Sequence, residues 1–497
     1  MRTCVRVGLL LAVAAIVLVS SPEASASPGA TDRVSVDSAG VQGTGDSGAW
    51  GRPAVSADSR YVAFESFAKN LVDGDTNNAS DIFVRDRDMG TTARVSVTSG
   101  GSQASGFSFQ PAISSDGRYV AFDSDAPDLV SGDSNNASDV FVHDRQTGAT
   151  TRVSVDSAGA QADASSYSPA VSSDGRYVAF YSEATNLVSD DSNGADDIFV
   201  RDRDTDGDGI FDEAEAVSTA RVSVDNGGGQ ADGASSDPAV SVDGRFVAFY
   251  SEATNLVLED TNGTGDIFVR DRQTGATERV SVDSAGSQAN GGSYDAAVGW
   301  DGRLVAFYSA ATNLVAGDTN NSWDVFVRDR ATGVTTRVSV DRAGNQGTGT
   351  SSDPAISADG RYVTFRSGAS NLVPSDTNGA EDIFLHNLQM GAIMRVSVDS
   401  AGGQANGGSS APGVSTDGRF VAFYSRASNL VPEDTNGRQD VFVHERPAVV
   451  GGIAELPEAA GQSGGPQRDY ALLAALAAAA LALFTAGAWY AARRRPR

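Results

Sequence analysis

Cysteine is all but missing from this chain of 497 residues: the single thiol is Cys4. It falls inside the first 26 residues, so the rest of the chain offers neither a disulfide framework nor a thiolate metal site. Histidine is nearly as scarce, with three residues, His143, His386 and His444. Each stands in or after a short β-rich stretch where sister segments carry arginine, so they read as strand-end surface residues and not as a catalytic or metal cluster. Basic charge is in deficit. Lys and Arg number 37 against 64 Asp and Glu, a net charge of −27. Nucleic acid needs a basic groove, so that partner is excluded, while cations and basic partners suit the balance. There is no Gly-x-Ser-x-Gly elbow and no second domain long enough to hold a hydrolase. Gly45-Asp46-Ser47-Gly48 looks like a serine-protease fragment, but no His and Asp framework surrounds it. Helical periodicity over three turns is absent from the central region.

What the chain has instead is one unit written seven times. Arg-Val-Ser-Val begins at Arg33, Arg94, Arg152, Arg221, Arg279, Arg337 and Arg395. A second string, Arg-[Tyr/Phe/Leu]-Val-[Ala/Thr]-Phe, begins at Arg60, Arg118, Arg176, Arg245, Arg303, Arg361 and Arg419. A third, Asp-[Ile/Val]-Phe-[Val/Leu], begins at Asp81, Asp139, Asp197, Asp266, Asp324, Asp382 and Asp440. The step is 58 residues, except for a first interval of 61, with three extra residues near Trp50, and a third of 69, with eleven extra after Arg203. A fixed period of this size decides the architecture before any single residue does.

Within one unit, Ser168-Pro169-Ala170-Val171-Ser172 is a short apolar stretch, and Asp174-Gly175 is a tight-turn pair. The β-branched and aromatic run 176–182 reads as a strand, as do 197–201 and 219–225. Four short antiparallel strands repeated radially describe a propeller blade. The last unit lacks its fourth strand, and that strand's sequence stands at the front of the chain as Arg33-Val34-Ser35-Val36-Asp37. The expected fold is therefore all-β, a seven-bladed β-propeller over 27–446 closed by its N-terminal strand, since closure removes the open sheet edges. An open β-solenoid is the alternative.

The Ser-x-Asp-Gly-Arg-Tyr-Val-Ala-Phe string followed by Asp-Ile-Phe-Val-x-Asp resembles the TolB-type, WD-like propeller repeat, in phase over residues 33–446. Ser59 replaces the glycine of the first turn, and Gly299-Trp300 precedes the fifth. The resemblance implies a propeller scaffold and leaves activity open, because that scaffold hosts binders and enzymes alike.

The ends read as targeting segments. Residues 1–26 form a secretory signal, with Arg2 and Arg6, an apolar core from Val7 to Val19, and the small-residue box Ala24-Ser25-Ala26. Residues 447–469 form a Gly/Pro/Ala-rich stalk. Residues 470–492 form one uncharged C-terminal transmembrane helix, and the basic tail 493–497 places the C-terminus in the cytoplasm. Leu456-Pro457-Glu458-Ala459-Ala460 faintly resembles a cell-wall sorting signal but lacks its Thr and Gly.

The sharpest chemical motif lies in the insertion 203–218. Asp204, Asp206 and Asp208 occupy positions one, three and five of a twelve-position calcium loop. Gly209 makes the turn, Ile210 offers its carbonyl at seven, Asp212 stands at nine and Glu215 closes the site at twelve. The expected cofactor is a structural Ca2+. Each unit also carries an acidic turn such as Asp75/Asn77/Asp81, able to hold a cation or to cap its own backbone. A glutamine recurs between units, from Gln42 and Gln103 to Gln404. Propeller geometry puts these turns and glutamines on one polar face and the calcium loop on the other. The glutamines either recognise a ligand or tie loop backbones together. The Arg-Val-Ser-Val arginines are expected to pair with the Asp-Arg positions of the neighbouring strand, and the Phe64 series to fill the core between blades. The first inter-blade loop, with Asp46 and Trp50, is the expected break of symmetry at the channel mouth. Together these features predict a non-catalytic, exported, membrane-anchored monomer that binds an envelope protein or glycan. The alternative is an enzyme acting on glycan or peptide at the channel mouth.

Overall fold

The computed structural model describes residues 29–48 and 51–447. The signal segment 1–26, Trp50, the stalk beyond residue 447, the helix 470–492 and the tail 493–497 lie outside the described residues. Two compact units are distinguished, 1–450 and 451–497, and all the described residues belong to the first. Among them no helix is long and apolar enough to cross a membrane.

The described chain folds into seven four-stranded antiparallel sheets. Blade 1 runs Ala54–Val55, Tyr61–Ser66, Asp81–Asp86 and Thr91–Arg94 from the channel outward. Blades 2 to 6 repeat this order over 108–152, 166–221, 235–279, 293–337 and 351–395. Blade 7 takes three strands from its own repeat, Ser409–Val414, Phe420–Ser425 and Asp440–Glu445, and its outer strand from Thr31–Arg33. The register of that loan is Thr31 to His444, Asp32 to Val443 and Arg33 to Phe442. The ring thus closes as its sequence implies. Gly413 stands at the seam, where a Cβ would come within 2.2 Å of the Pro53 carbonyl oxygen.

Strand four is shorter than the sequence suggests. It ends at the arginine of Arg-Val-Ser-Val, as in Ser218–Arg221. Val-Ser-Val then leaves the ladder because its serine is drawn into a buried network. Ser96 donates to Asp81 Oδ1 at 2.6 Å and accepts the Ile82 amide at 3.1 Å. Arg94 reaches Asp81 at 3.3 Å and Asp75 at 3.7 Å. The same serine, aspartates and arginine meet in every blade, including Ser35, Arg33, Asp434 and Asp440 across the closure. This corrects the expected arginine pairing. The Asp-Arg aspartates are instead held by the arginine of the second strand: Arg60 grips Asp86 through Nε at 3.0 Å and Nη2 at 2.7 Å.

The core lies between blades. Each of seven buried apolar clusters joins two neighbours; one unites Val62 and Phe64 of blade 1 with Val34, Ala422 and Val441 of the closing blade. Phe64 stacks on Phe83 at 5.9 Å, and every blade keeps this pair. On the face opposite the acidic turns, a ring of one blade lies on the turn glycine of the next. Tyr61 occupies the space a Cβ of Gly117 would need, and Arg145 covers the ring at 4.2 Å. In blade 5 the ring is replaced by Leu304, and the covering arginine becomes Leu388, so an apolar pair fills the same slot.

The histidines are buried, contrary to the surface reading. They take the place of arginines that clasp the preceding blade: Arg85 donates to the Asp37 carbonyl at 2.9 Å and to Thr92 Oγ1 at 3.0 Å. His444 is 2% exposed, and its Nδ1 bonds Thr31 Oγ1 at 2.8 Å, while Thr31 donates to the Val398 carbonyl at 2.6 Å. His386 faces Ile393 where other blades have threonine, and bonds the Val338 carbonyl directly at 2.7 Å. At His143 and His444 the imidazole keeps the threonine-mediated contact with the preceding blade without a long charged side chain, while His386 reaches a different carbonyl of that blade.

Two outcomes follow. Arg33→Ala strands Asp434 and Asp440 without their cation, and loss of one partner of a buried pair costs about 3–5 kcal/mol. Urea unfolding is expected to show that loss, against less than about 0.5 kcal/mol for the surface change Arg361→Ala. Burial, only partly opposed by Glu445, lowers the His444 imidazole from 6.5 to about 4. The unfolded chain therefore takes up this proton first, and the contribution of His444 is complete above about pH 6.5 and is lost as pH falls toward 4. Between pH 7 and pH 5, His444→Gln is expected to lose about 2 kcal/mol less stability than the parent. Equal losses would refute the buried neutral ring.

Candidate functional site

Three strand positions, repeated around the ring, converge on the polar face at the channel. The first is the residue before Pro-Ala-Val on the innermost strand. It sits at a β-bulge between register pairs such as Tyr167–Tyr181 and Ala170–Ala179. Its φ is positive in six blades: Gln110 (53°), Ser168 (51°), Asp237 (52°), Asp295 (55°), Asp353 (54°) and Ala411 (50°). The proline that follows in most copies bars a helical conformation here, and a bulge re-aims the side chain at its apex. In blade 1 the position is Arg52. Its guanidinium crosses the channel, bonding the Pro354 carbonyl at 2.5 Å and the Asp295 carboxylate. Contact between blade 1 and blades 5 and 6 fixes the bulge side chains as facing the axis.

The second position is the fifth residue of strand two: Glu65, Asp123, Tyr181, Tyr250, Tyr308, Arg366 and Tyr424. The third immediately precedes strand three: Ser80, Ser138, Asp196, Gly265, Trp323, Glu381 and Gln439. In blades 4 and 5 these positions, with Tyr294, build an aromatic stack. Tyr294 lies 5.1 Å from Tyr250 and 5.3 Å from Trp323, and Trp323 lies 4.9 Å from Tyr308. Gly265 makes room for it, since a Cβ there would strike the Tyr250 ring at 2.1 Å.

Charge around the mouth is uneven. On blades 5 and 6 the acids are answered: Asp295 by Arg52, and Asp353 and Glu381 by Arg366 at 3.0 Å each. On blades 2 to 4 they are not. Asp123 is 3% exposed and receives backbone amides, its own and, at 3.4 Å, that of Ser168. Burial, reinforced by Glu65, holds its carboxyl well above the usual range. Asp196 has a buried Oδ1 without a hydrogen-bond partner; burial, then Glu183, Asp197 and Asp237, push it up to about 6. Asp237 faces open channel, takes a bond from Ser236 at 3.1 Å, and is raised by burial. Asp295, despite Arg52, rises to about 6, because burial and the neighbouring Asp353 and Asp237 outweigh the guanidinium.

Beneath the bulges Val55, Ile113, Val171, Val240, Val298, Ile356 and Val414, one from each blade, line a cavity of about 180 Å³. Trp300 stands at the far mouth, 54% exposed.

The repeated glutamines belong to the framework. Gln103 donates to Asp75 at 2.9 Å and Asp81 at 3.0 Å and accepts the Thr76 amide. Gln161, Gln230, Gln288 and Gln404 repeat this pattern, while Gln42 and Gln346 bond threonines instead. The paired aspartates of each acidic turn meet the Arg-Val-Ser-Val guanidinium, so the cation they hold is arginine.

The insertion lies on the opposite face, with Phe211 against Tyr119 at 5.2 Å. Asp204, Asp206 and Asp208 place ligand oxygens within 4.8 Å of one another, the one such group among the described residues. That donor set fits a hard dication. Asp204 is buried, yet the amides of Gly209, Gly207 and Asp208, with help from Asp206, outweigh burial and hold its carboxyl below the usual range. Asp212 is gripped by Arg203 at 2.5 Å. Asp212 and Glu215 have φ of 65° and 72°, and Ile210 is exposed.

No family model matches the chain, and no curated protein matches it. Among solved structures, a putative TolB from Agrobacterium tumefaciens shares 16% identity, with 58% of this chain and 79% of that one covered at a TM-score of 0.36. An oligogalacturonate lyase in complex with manganese shares 12%, with 85% and 95% covered, at 0.49. The β-propeller domain of the Trilobed protease from Pyrococcus furiosus, described as having an open velcro topology, shares 11%, with 81% and 98% covered, at 0.47. Likeness at this level speaks only to fold. The blade count and the closure stand on this chain's own strand pairing: it is a seven-bladed β-propeller built from seven in-phase repeats.

Proposed function

We propose that this chain is an exported, membrane-tethered monomeric propeller that binds an envelope ligand, protein or glycan, at its polar channel mouth, without catalysis. One observation carries the reading. The repeat is nearly invariant in its buried core and framework, and three of the columns that do vary bring polar, charged and aromatic side chains together at this mouth. Convergent polar and aromatic groups around a concavity are the usual mark of a binding site. Export and tethering rest on the sequence signals at 1–26 and 470–497.

The alternative, an enzyme acting on glycan or peptide at the same mouth, draws on Asp295 and Asp196, both raised to about 6, a range suited to general acid work. Calcium is assigned a structural role at Asp204, Asp206 and Asp208. The Ile210 carbonyl, Asp212 and Glu215 would complete the cage, and position nine commonly acts through water, so Asp212 need not leave Arg203.

Immobilised full-length protein is expected to retain a component of envelope extract unaltered. A variant carrying Tyr181→Ala, Asp237→Asn and Trp323→Ala is expected to lose it, while Trp300→Ala at the far mouth keeps it. Equal retention by all three proteins would overturn the assignment of the face, and release of a cleaved product would favour the enzyme. Calcium at a hundredfold excess over its Kd is expected to stabilise the fold by about 2.7 kcal/mol in urea unfolding. Asp206→Asn with Asp208→Asn should remove that gain, and no calcium effect on the parent would remove the ion from the account.

A further inference from the structure

We infer that the ligand carries two or more ammonium groups along a flexible chain and seats them on blades 2 to 4, among Asp123, Asp196 and Asp237 beside the Tyr167–Tyr181 pair. This rests on the mouth being the binding surface and names the chemistry it takes.

Four observations lead here. The first is the split in neutralisation. Arg52 and Arg366 form ion pairs with the acids of blades 5 and 6, while those of blades 2 to 4 make none, Arg52 acting on Asp237 only from a distance. The second is the condition of the unanswered acids. Asp196 keeps a buried oxygen with no hydrogen-bond donor, and Asp123, 97% buried, is met by backbone amides and by no ion pair. A buried acceptor left in this state is costly, and a donor from outside the chain would relieve it. The third is the aromatic pair. Tyr167 and Tyr181 lie 5.6 Å apart at 40°, and Tyr181 feels Asp237, Asp196 and Asp123, which together with burial raise its phenol. Rings among carboxylates attract cations through both their faces and their neighbours. The fourth is Arg52 itself, whose guanidinium already spans the channel to Asp295, so the chain supplies one organic cation to this ring of carboxylates.

Spacing separates an organic polycation from a metal ion. These acids form no group of three with ligand atoms within 4.8 Å, a condition met only by Asp204, Asp206 and Asp208 among the described residues. Acids spread over three blades suit several ammonium groups on one chain better than one compact ion. Ammonium groups of this kind belong to linear polyamines or to lysine side chains of a peptide.

Isothermal titration of the full-length protein with spermidine and with trilysine, at low and high salt, tests the inference. Binding of either is expected, weakened at least tenfold by Asp196→Asn with Asp237→Asn and little changed by Trp300→Ala. The stronger of the two probes names the source. The thermal midpoint of each variant guards against misfolding, and Asp237→Asn alone, at a position open to the channel, is a milder second probe. If neither cation binds while envelope material is still retained through Tyr181 and Trp323, the cationic inference falls and the mouth survives. If neither cation binds and the mouth variants also retain material normally, both fall. Binding unaffected by the aspartate changes also overturns the inference.

Discussion

One buried constellation underlies the rest of the molecule: the aspartate that opens strand three, with the serine and arginine of strand four, the aspartate of the preceding turn, and the glutamine of the next loop. Asp81 is fully buried, and burial raises its carboxyl even with Ser96, Arg94 and Gln103 pulling it down. Such a group is expensive alone and useful in company. It ties together the outer strand, the turn before strand three and the loop that leads to the next blade. Those loops form the polar face, so the network makes that face rigid without spending the channel-facing side chains on stability.

This division of labour explains where the chain varies. Framework columns cannot change without leaving a buried charge unpaired. The columns that face the axis touch little of the network, and they run Arg, Gln, Ser, Asp, Asp, Asp, Ala from Arg52 to Ala411. Compensation appears where a framework contact does shift. Leu304 and Leu388 replace a ring and its arginine together, and His386, facing Ile393 in place of a threonine, bonds the preceding blade at the Val338 carbonyl.

The blade count, the closing strand, the Phe core and the two faces were all legible in the sequence, because period and pattern encode them directly. Residues brought together from different strands were not. Arg94 was matched with the wrong aspartates since two Asp columns lie within reach of strand four, and only the turn of Val-Ser-Val out of the ladder decides between them. The histidines were misplaced because strand-end position does not say whether the next blade covers it. The mouth was reduced to Asp46 and Trp50, although the seven units form an internal alignment. Reading down its columns for variability between invariant neighbours would have found Asp237, Asp295, Tyr181 and Trp323.

The two faces then carry different kinds of asymmetry. The insertion 203–218 is a single addition on one face, packed through Phe211 and Arg203 against blade 2, and it touches none of the mouth residues named here. The mouth differs by substitution in place, blade by blade, with no change in backbone length over blades 2 to 7. Substitution in place keeps the ring geometry constant while its charge is redistributed, and the outcome is a channel whose acids are ion-paired with Arg52 and Arg366 on blades 5 and 6 and without ion pairs on blades 2 to 4. A toroid holds such a gradient across a narrow opening because its walls are fixed by the blades and not by the mouth residues themselves.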